Sequence, residues 1–426
     1  MNRRFFTKAV VGGSLGFAFS AVAAAASRHR DRGGRAGDVR IPGAFQGLIT
    51  TRDAWAQMRI ELSRDAESMK ELREAAEAGL RVTRLSVVDK TTLPPSKDAH
   101  DFSSVAPYFW PDPAKVDGRP YIRKDGQVNP EYYKTDRPKL NSLCDTVTAL
   151  TLCSLADGKP GPYAAHAGKL LRGWFLDAET RMNPNLNFAQ AIAGRTTGRG
   201  DGIIDTTCCC YLLDAIGRLE MSSEWTGSHL AGLQEWFSQY LDWLLTSPQG
   251  KAECAAENNH GTWFDAQVAA YAIFCGRKEI ARRHIETHVL ARIKKQIRPD
   301  GSQPHELART LSLSYSSFNL LAFTCLAQLA PHVDLDLWRW RDHSGCGVLT
   351  AIRFLIPYYL GEKKWTWPQI EEFRKPVATL LLNLAAQGIG AEDVQKAALA
   401  YGGKPWNRVS AFGASVRDDG PLKKGA

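Results

Sequence analysis

The chain is expected to be all-α, an α/α toroid: an incomplete barrel of antiparallel helix pairs around a central groove. Three observations carry this expectation. Apolar residues recur at three-, four- and seven-residue steps in about ten segments, each some 10–20 residues long. Those segments follow one another with short Gly/Pro punctuation, while the period-two alternation of strands is scarce. The helices outnumber those of a four-helix bundle and carry no clear repeat, so a ring of helix pairs suits them best.

Taken in order, residues 1–26 have the make-up of an export signal. Arg3, Arg4, Phe5, Phe6 and Lys8 precede an apolar Gly/Ala-rich run from Ala9 to Val22, and Ala23 to Ala26 supply small residues for cleavage. The arginine pair resembles a twin-arginine signal. The run is too short and Gly-rich to span a bilayer, and no later segment reaches 18 uninterrupted apolar residues. A periplasmic or secreted protein, without stable membrane association after signal removal, is expected. Residues 27–45 form a Gly/Arg-rich tether, 46–410 a single toroid domain, and 411–426 a tail.

From Thr51 the pattern turns helical, with Trp55, Met58, Leu62, Met69 and Leu72 on one face. Residues 77–138 lose periodicity and gain Pro, Gly, Asp and aromatics, most densely near 90–137. An irregular stretch of that length inside a domain is usually functional. Helical patterns then occupy about 138–156, 162–178, 203–219, 225–246, 262–275, 278–295, 316–330, 347–359, 367–387 and 391–401.

Charge and cysteine use exclude several classes. Of the formal +9, residues 1–40 hold +6, so the body is only mildly basic and nucleic acid is not expected as a partner. Nine cysteines occur without a CxxC pair, mostly in apolar helical surroundings, so they are expected as small buried hydrophobes rather than a disulfide framework. Cys208, Cys209 and Cys210 point to different sides of a helix and cannot cage a metal alone. His284 and His288 have i, i+4 spacing but lie among Arg282, Arg283 and Arg292, so a solvated face is expected there. Neither a metal nor a cofactor is expected. No strand signal precedes the loop of Gly194, Gly198, Gly200 and Gly202, which is expected to edge the groove, where Arg195 or Arg199 meets substrate carboxylates.

Chemistry concentrates in two segments. Asn258-Asn259-His260-Gly261 precedes a helix expected to begin near Thr262, whose hydroxyl would cap it. Glu306 to Tyr315 contains Arg309 and Tyr315, with Ser312, Ser314, Ser316 and Ser317 giving the tyrosine a polar neighbourhood. An amide, an imidazole, a guanidinium and a phenol suit β-elimination from a uronic-acid polymer. There a carboxylate is neutralised, an acidic C–H loses its proton, and the departing glycosidic oxygen gains one. In the plain alternatives Asn and Gly merely form a turn, Arg309 pairs with Glu306, and Tyr315 fills the core.

Six ordered motifs carry a resemblance. They are Asp101 to Pro113 (DFSSVAPYFWPDP), Gly118 to Gly126 (GRPYIRKDG), Asn129-Pro130-Glu131, Thr180 to Asn187 (TRMNPNLN), Asn258-Asn259-His260, and Arg309 to Tyr315 (RTLSLSY). Together, over about 90–345, the chain resembles the alginate lyase family of polysaccharide lyases. The resemblance implies an α/α toroid and eliminative cleavage of a β-1,4-linked uronate polymer, alginate or glucuronan. It implies that Asn259 and His260 neutralise the C5 carboxylate and assist at the base, that Tyr315 is base or acid, and that Arg309 supports it. Tyr108, Trp110, Asn187, Gln190, Arg195, Asn258, Trp263 and His305 are the expected substrate contacts. Two other functions fit less of the sequence. A glycoside hydrolase would draw two carboxylates from Asp265, Asp300 and Glu306, and a noncatalytic periplasmic glycan-binding protein would keep only the groove.

Overall fold

Thr51 accepts a hydrogen bond from the Ala54 amide, and Asp65 accepts from the Ser68 amide at 3.0 Å, so two helices replace one expected run. These are α1 (Arg52–Arg64) and α2 (Ala66–Leu80). The computed structural model describes residues 47–158 and 161–410; the expected signal, tether and tail lie outside the described residues. The irregular segment that follows α2 contains only short strands: β1 (Ser103–Val105), β2 (Phe109–Trp110) and β3 (Ile122–Arg123). β2 and β3 pair antiparallel, while β1 pairs parallel with β4 (Phe188–Ala191). A strand therefore does precede the glycine loop at 194–202, but a 3₁₀ turn, Gly200–Thr206, follows it rather than a helix N-terminus.

Helices make up most of the rest: α3 (Asp136–Asp157), α4 (Pro162–Phe175), α5 (Cys208–Ile216), α6 (Gly227–Thr246) and α7 (Pro248–Cys254). After them come α8 (Asn259–Phe274), α9 (Lys278–His284), α10 (Leu290–Gln296), α11 (Pro304–Leu307), α12 (Ser312–Leu329), α13 (Val348–Tyr359), α14 (Lys375–Ile389) and α15 (Glu392–Tyr401). A π turn, Ile285–Val289, joins α9 to α10.

The toroid is visible in which helices touch. α3, α5, α8, α12 and α14 pack in succession, with α4, α6, α9 and α13 outside them. Inner and outer helices differ in sequence for a physical reason. In α8 every residue except His260 is buried, and in α12 every residue except Ser314. A helix enclosed on all sides has no polar stripe, so its apolar residues do not sort to one face. The outer α4 and α13 keep a stripe that covers the ring. Fully buried aromatics such as Trp263, Tyr271, Phe264 and Phe323 fill the space between, each worth roughly 1.5–3 kcal/mol of transfer free energy. The ring's ends meet: Thr50 donates to the Val409 carbonyl at 2.7 Å, and Arg408 pairs with Glu61 at 3.0 Å.

Several expectations need correction. α8 begins at Asn259, with Asn258 as its cap, and the Thr262 hydroxyl instead bonds Gln296 at 2.9 Å. α12 begins at Ser312, which brings Tyr315 into its first turn. α14 starts only at Lys375, because Pro368 and Gln369 lie along α12 as irregular chain: Ser312 N–H donates to the Pro368 carbonyl at 2.9 Å. His284 is no solvated residue. It is 7% exposed and bonds Asp265 at 2.8 Å, and Arg292 reaches the same carboxylate at 2.6 Å. The cysteines, by contrast, form no disulfide, and five of the nine are buried in the hydrophobic core cluster.

The Asp265 cluster also holds the site in place. Arg292 reaches from Asp265 to the Cys254 and Ala256 carbonyls, and so clamps the turn that enters α8. Gly261 is required because a Cβ there would lie 2.1 Å from the Arg292 guanidinium and 2.2 Å from the Ala256 carbonyl. Asp265→Ala strands a buried cation and is expected to cost about 3–5 kcal/mol. Gly261→Ala is expected to cost about 1–3 kcal/mol through overpacking. Urea denaturation checks both; an unchanged midpoint in either variant contradicts this packing.

Candidate active site

Glu306 sets the geometry. It is 1% exposed, and its two carboxylate oxygens accept from the Asn259 backbone amide at 2.7 Å and the Asn259 side-chain amide at 2.8 Å. The start of α8 is thereby tied to the residues just before α12. One turn further on, Trp263 and Phe318 pack with ring centroids 5.0 Å apart. α8 and α12 thus run side by side in one direction, with His260 in the first turn of α8 and Tyr315 in the first turn of α12. Both helix dipoles present partial positive charge there, which suits a carboxylate-bearing substrate.

His260 is the single residue of α8 that is not buried. Its Nδ1 lies 2.7 Å from the carboxylate of Glu253, a side chain only 3% exposed. A carboxylate accepts, so Nδ1 carries the proton and Nε2 lies on the opposite edge of the ring. Burial pushes the Glu253 carboxyl upward, and the neighbouring imidazole pulls it back. An imidazole oriented by a buried carboxylate has the chemistry for general acid or base work.

Tyr315 is held from two sides. The Arg309 guanidinium lies over its ring, 3.6 Å from the centroid, and its hydroxyl is 2.9 Å from that of Tyr108. The cation on the ring face and the Tyr108 hydroxyl together fix where the phenol points. Arg309 is in turn positioned by Asp125, which it grips at 2.9 and 3.3 Å while Thr310 and Arg123 bond the same carboxylate. Burial pushes the Asp125 carboxyl up, but the bonds and charge of Arg309 and Arg123 outweigh it and hold the pKa at about 2. The aromatic segment near 90–137 thus supplies two groups, Tyr108 and Asp125, to the start of α12.

The remaining expected contacts separate into three groups. Asn258 caps α8, its side chain accepting from the His260 amide at 3.2 Å. Trp110 is half-buried, donates to the Gln127 carbonyl at 2.9 Å, and has Lys124 above its ring at 5.2 Å. Asn187 is half-buried and accepts from Trp243 at 3.0 Å, and His305 is exposed on α11. Arg195 lines a cleft of about 610 Å³ with Phe109, Arg119, Tyr121 and Glu131; neither His260 nor Tyr315 lines it. Gln190 is 3% exposed with its amide spanning Asp205 at 3.2 Å and Arg199 at 2.6 Å, so it positions Arg199. Trp263 is 1% exposed between Tyr211 and Phe318, a core side chain and not a groove contact.

The plain alternatives are resolved by partners. Arg309 pairs with Asp125 at 2.9 Å, and its charge also acts on the Glu306 carboxylate. The serines around Tyr315 fasten α12 to its neighbours: Ser314 accepts from Gln369 at 2.9 Å, and Ser317 bonds Tyr359 at 2.7 Å. A two-carboxylate hydrolase site has no pair to use, because Asp265 is locked in the core, Glu306 is occupied by Asn259, and Asp300 lies exposed in a turn. Asp125 and Glu253 escape a reading of sequence alone. Asp125 falls inside the GRPYIRKDG motif and was open to notice, whereas Glu253 precedes His260 across a helix break that no periodicity spans.

A family model described as alginate lyase matches residues 86–365. Among solved structures, an alginate lyase from Bacteroides ovatus is 37% identical, with 85% of this chain and 97% of that one covered at a TM-score of 0.80. Alginate lyase A1-III from Sphingomonas species A1 is 17% identical, covering 89% of this chain and 99% of its own at a TM-score of 0.51, which shows a shared fold. A variant of alginate lyase A1-III complexed with tetrasaccharide is also 17% identical, with coverage of 89% and 99% and a TM-score of 0.52. No curated protein matches.

Two measurements check this geometry. Glu253→Gln removes the carboxylate that holds His260 Nδ1 and so loosens the ring. Turnover is expected to fall roughly tenfold or more, and an unchanged turnover contradicts the pair. Asp125 is depressed from 3.8 to about 2, so its stabilisation is present above pH 3.8 and lost as pH falls towards 2. Asp125→Asn is expected to lower Tm at neutral pH and to flatten the fall in Tm across that acidic window. A Tm–pH curve parallel to that of the unsubstituted protein contradicts the Asp125 clamp.

Proposed function

The chain belongs to the alginate lyase family, and from that premise we propose that it cleaves alginate, a β-1,4-linked uronate polymer, by β-elimination. It is a polysaccharide lyase. The observation that carries the finer reading is Tyr315, whose phenol bonds Tyr108 beneath the Arg309 cation at the N-terminal end of α12.

The N-terminal ends of α8 and α12 receive the C5 carboxylate, where His260 and the helix dipoles neutralise its charge and acidify the C5 proton, while Asn259 holds the level of the two ends through Glu306. In mannuronate that proton and the O4 leaving group lie on one face of the sugar. Tyr315 as phenolate removes the proton, the C4–O4 bond breaks as the C4=C5 double bond forms, and Tyr315 returns the proton to the departing oxygen. In guluronate, the C5 epimer, proton and leaving group lie on opposite faces. His260 Nε2 then takes the proton, while Tyr315 gives its own to O4. The Glu253–His260 pair supports this second route, since it fixes the ring by Nδ1 and turns Nε2 away from Glu253. Asp125 and Tyr108 position the phenol, and the half-buried Trp110 offers a ring face for stacking on a sugar.

Export follows from the twin-arginine-like first 26 residues and places the enzyme where it meets an extracellular polymer. Among the described residues no helix is long and apolar enough to cross a membrane.

Near-ultraviolet absorbance of the unsaturated product provides the test. Polymannuronate and polyguluronate are expected to yield it, with glucuronan and hyaluronan-type polymers as the comparison arms. Tyr315→Phe is expected to lose at least 10²-fold in turnover while still binding polymer. Absence of new absorbance on every polymer, or a fully active Tyr315→Phe, overturns the proposal.

A further inference from the structure

Away from the groove, three thiols from two helices converge. Cys144 lies in the middle of α3, and Cys208 and Cys209 occupy the first turn of α5. Their sulfur atoms all lie within 4.8 Å of one another. The expectation that adjacent cysteines on one helix cannot form a cage is therefore met from outside: α3 supplies the third ligand, while Cys210 takes no part in the cluster. We propose that Cys144, Cys208 and Cys209 form a thiolate site for a three-coordinate soft metal ion, Cu(I).

Geometry, charge and access each support it. Three sulfurs bound to one ion at about 2.3 Å in a trigonal plane stand about 4 Å apart, so the thiols need only small rotations to bind. No fourth His, Cys, Asp or Glu joins them among the described residues, and thiolate-only, three-coordinate binding suits Cu(I) better than tetrahedral Zn(II). Binding forms three Cu–S bonds and releases the thiol protons, with no change of oxidation state, and leaves net negative charge. Arg137, itself 4% exposed, offsets part of that charge, with its guanidinium 3.9 Å from the Cys208 sulfur. The N-terminus of α5 directs its dipole at Cys208 and Cys209. Arg137 also meets the Tyr132 hydroxyl at 3.2 Å and Asp205 at 4.0 Å, which hold it in place. Cys144 and Cys209 are buried, and the half-buried Cys208 gives the ion a way in.

The test uses the full chain, reduced and free of oxygen, with Cu(I) supplied as its coloured complex with bathocuproine disulfonate. One equivalent is expected to transfer to the protein. Cys144→Ser and Cys208→Ser are expected to weaken capture at least tenfold, while Cys346→Ser leaves it intact. X-ray absorption of the loaded unsubstituted protein is expected to report three sulfur neighbours, and this holds even if a cysteine variant fails to fold. Failure to capture Cu(I), equal capture by Cys144→Ser, or nitrogen and oxygen neighbours in the metal shell overturns the site. None of these outcomes bears on polymer cleavage, because none of the three cysteines belongs to the elimination machinery.

Discussion

The site depends on one buried carboxylate. Glu306 accepts two hydrogen bonds from Asn259, one from the backbone and one from the side chain, and so fixes the start of α8 against the approach to α12. Burial pushes this carboxyl upward, while the Asn259 bonds, charge-assisted and worth roughly 1.5–3 kcal/mol each, favour its ionised form. Without the clamp, two helices buried on nearly every side would retain their packing but lose their common level. The proposed roles of His260 and Tyr315 in one elimination step need that level kept.

A second layer of control comes from far along the chain. Asp125 and Tyr108 stand 184 and 207 residues from Arg309 and Tyr315, yet they set the orientation of both. The irregular segment carrying them is ordered by short pairings, β1 with β4 and β2 with β3, rather than by a core of its own. Chemistry therefore sits where a rigid helical ring meets irregular chain. The ring supplies the His260 and Tyr315 positions, and the irregular chain supplies the groups that tune them.

The helices were legible in sequence where one face is wet, as in α4, α6 and α13, because burial on one side writes a 3.6-residue period. α8 and α12 were found but misbounded, since a helix buried all round has no such period and its start is marked only by a cap. At α8 that cap is Asn258, which the sequence also presents as a turn former. Within the candidate site, His260, Arg309 and Tyr315 stand out in the sequence because their chemistry is unusual in company. Glu253 and Glu306 were not legible as partners, because a carboxylate's role is set by what folds against it. Trp263 misled for the same reason: it neighbours His260 in sequence but points into the core. Cys144 joins Cys208 and Cys209 only through the packing of α3 on α5.

A crystal structure of Tyr315→Phe with a bound uronate tetrasaccharide tests the central claim most directly. The proposed elimination site requires a C5 carboxylate against His260 at the N-terminal end of α8, with the scissile O4 facing the ring of residue 315. A tetrasaccharide seated instead in the Arg119–Arg195 cleft, with the His260 and Tyr315 positions uncovered, would contradict it.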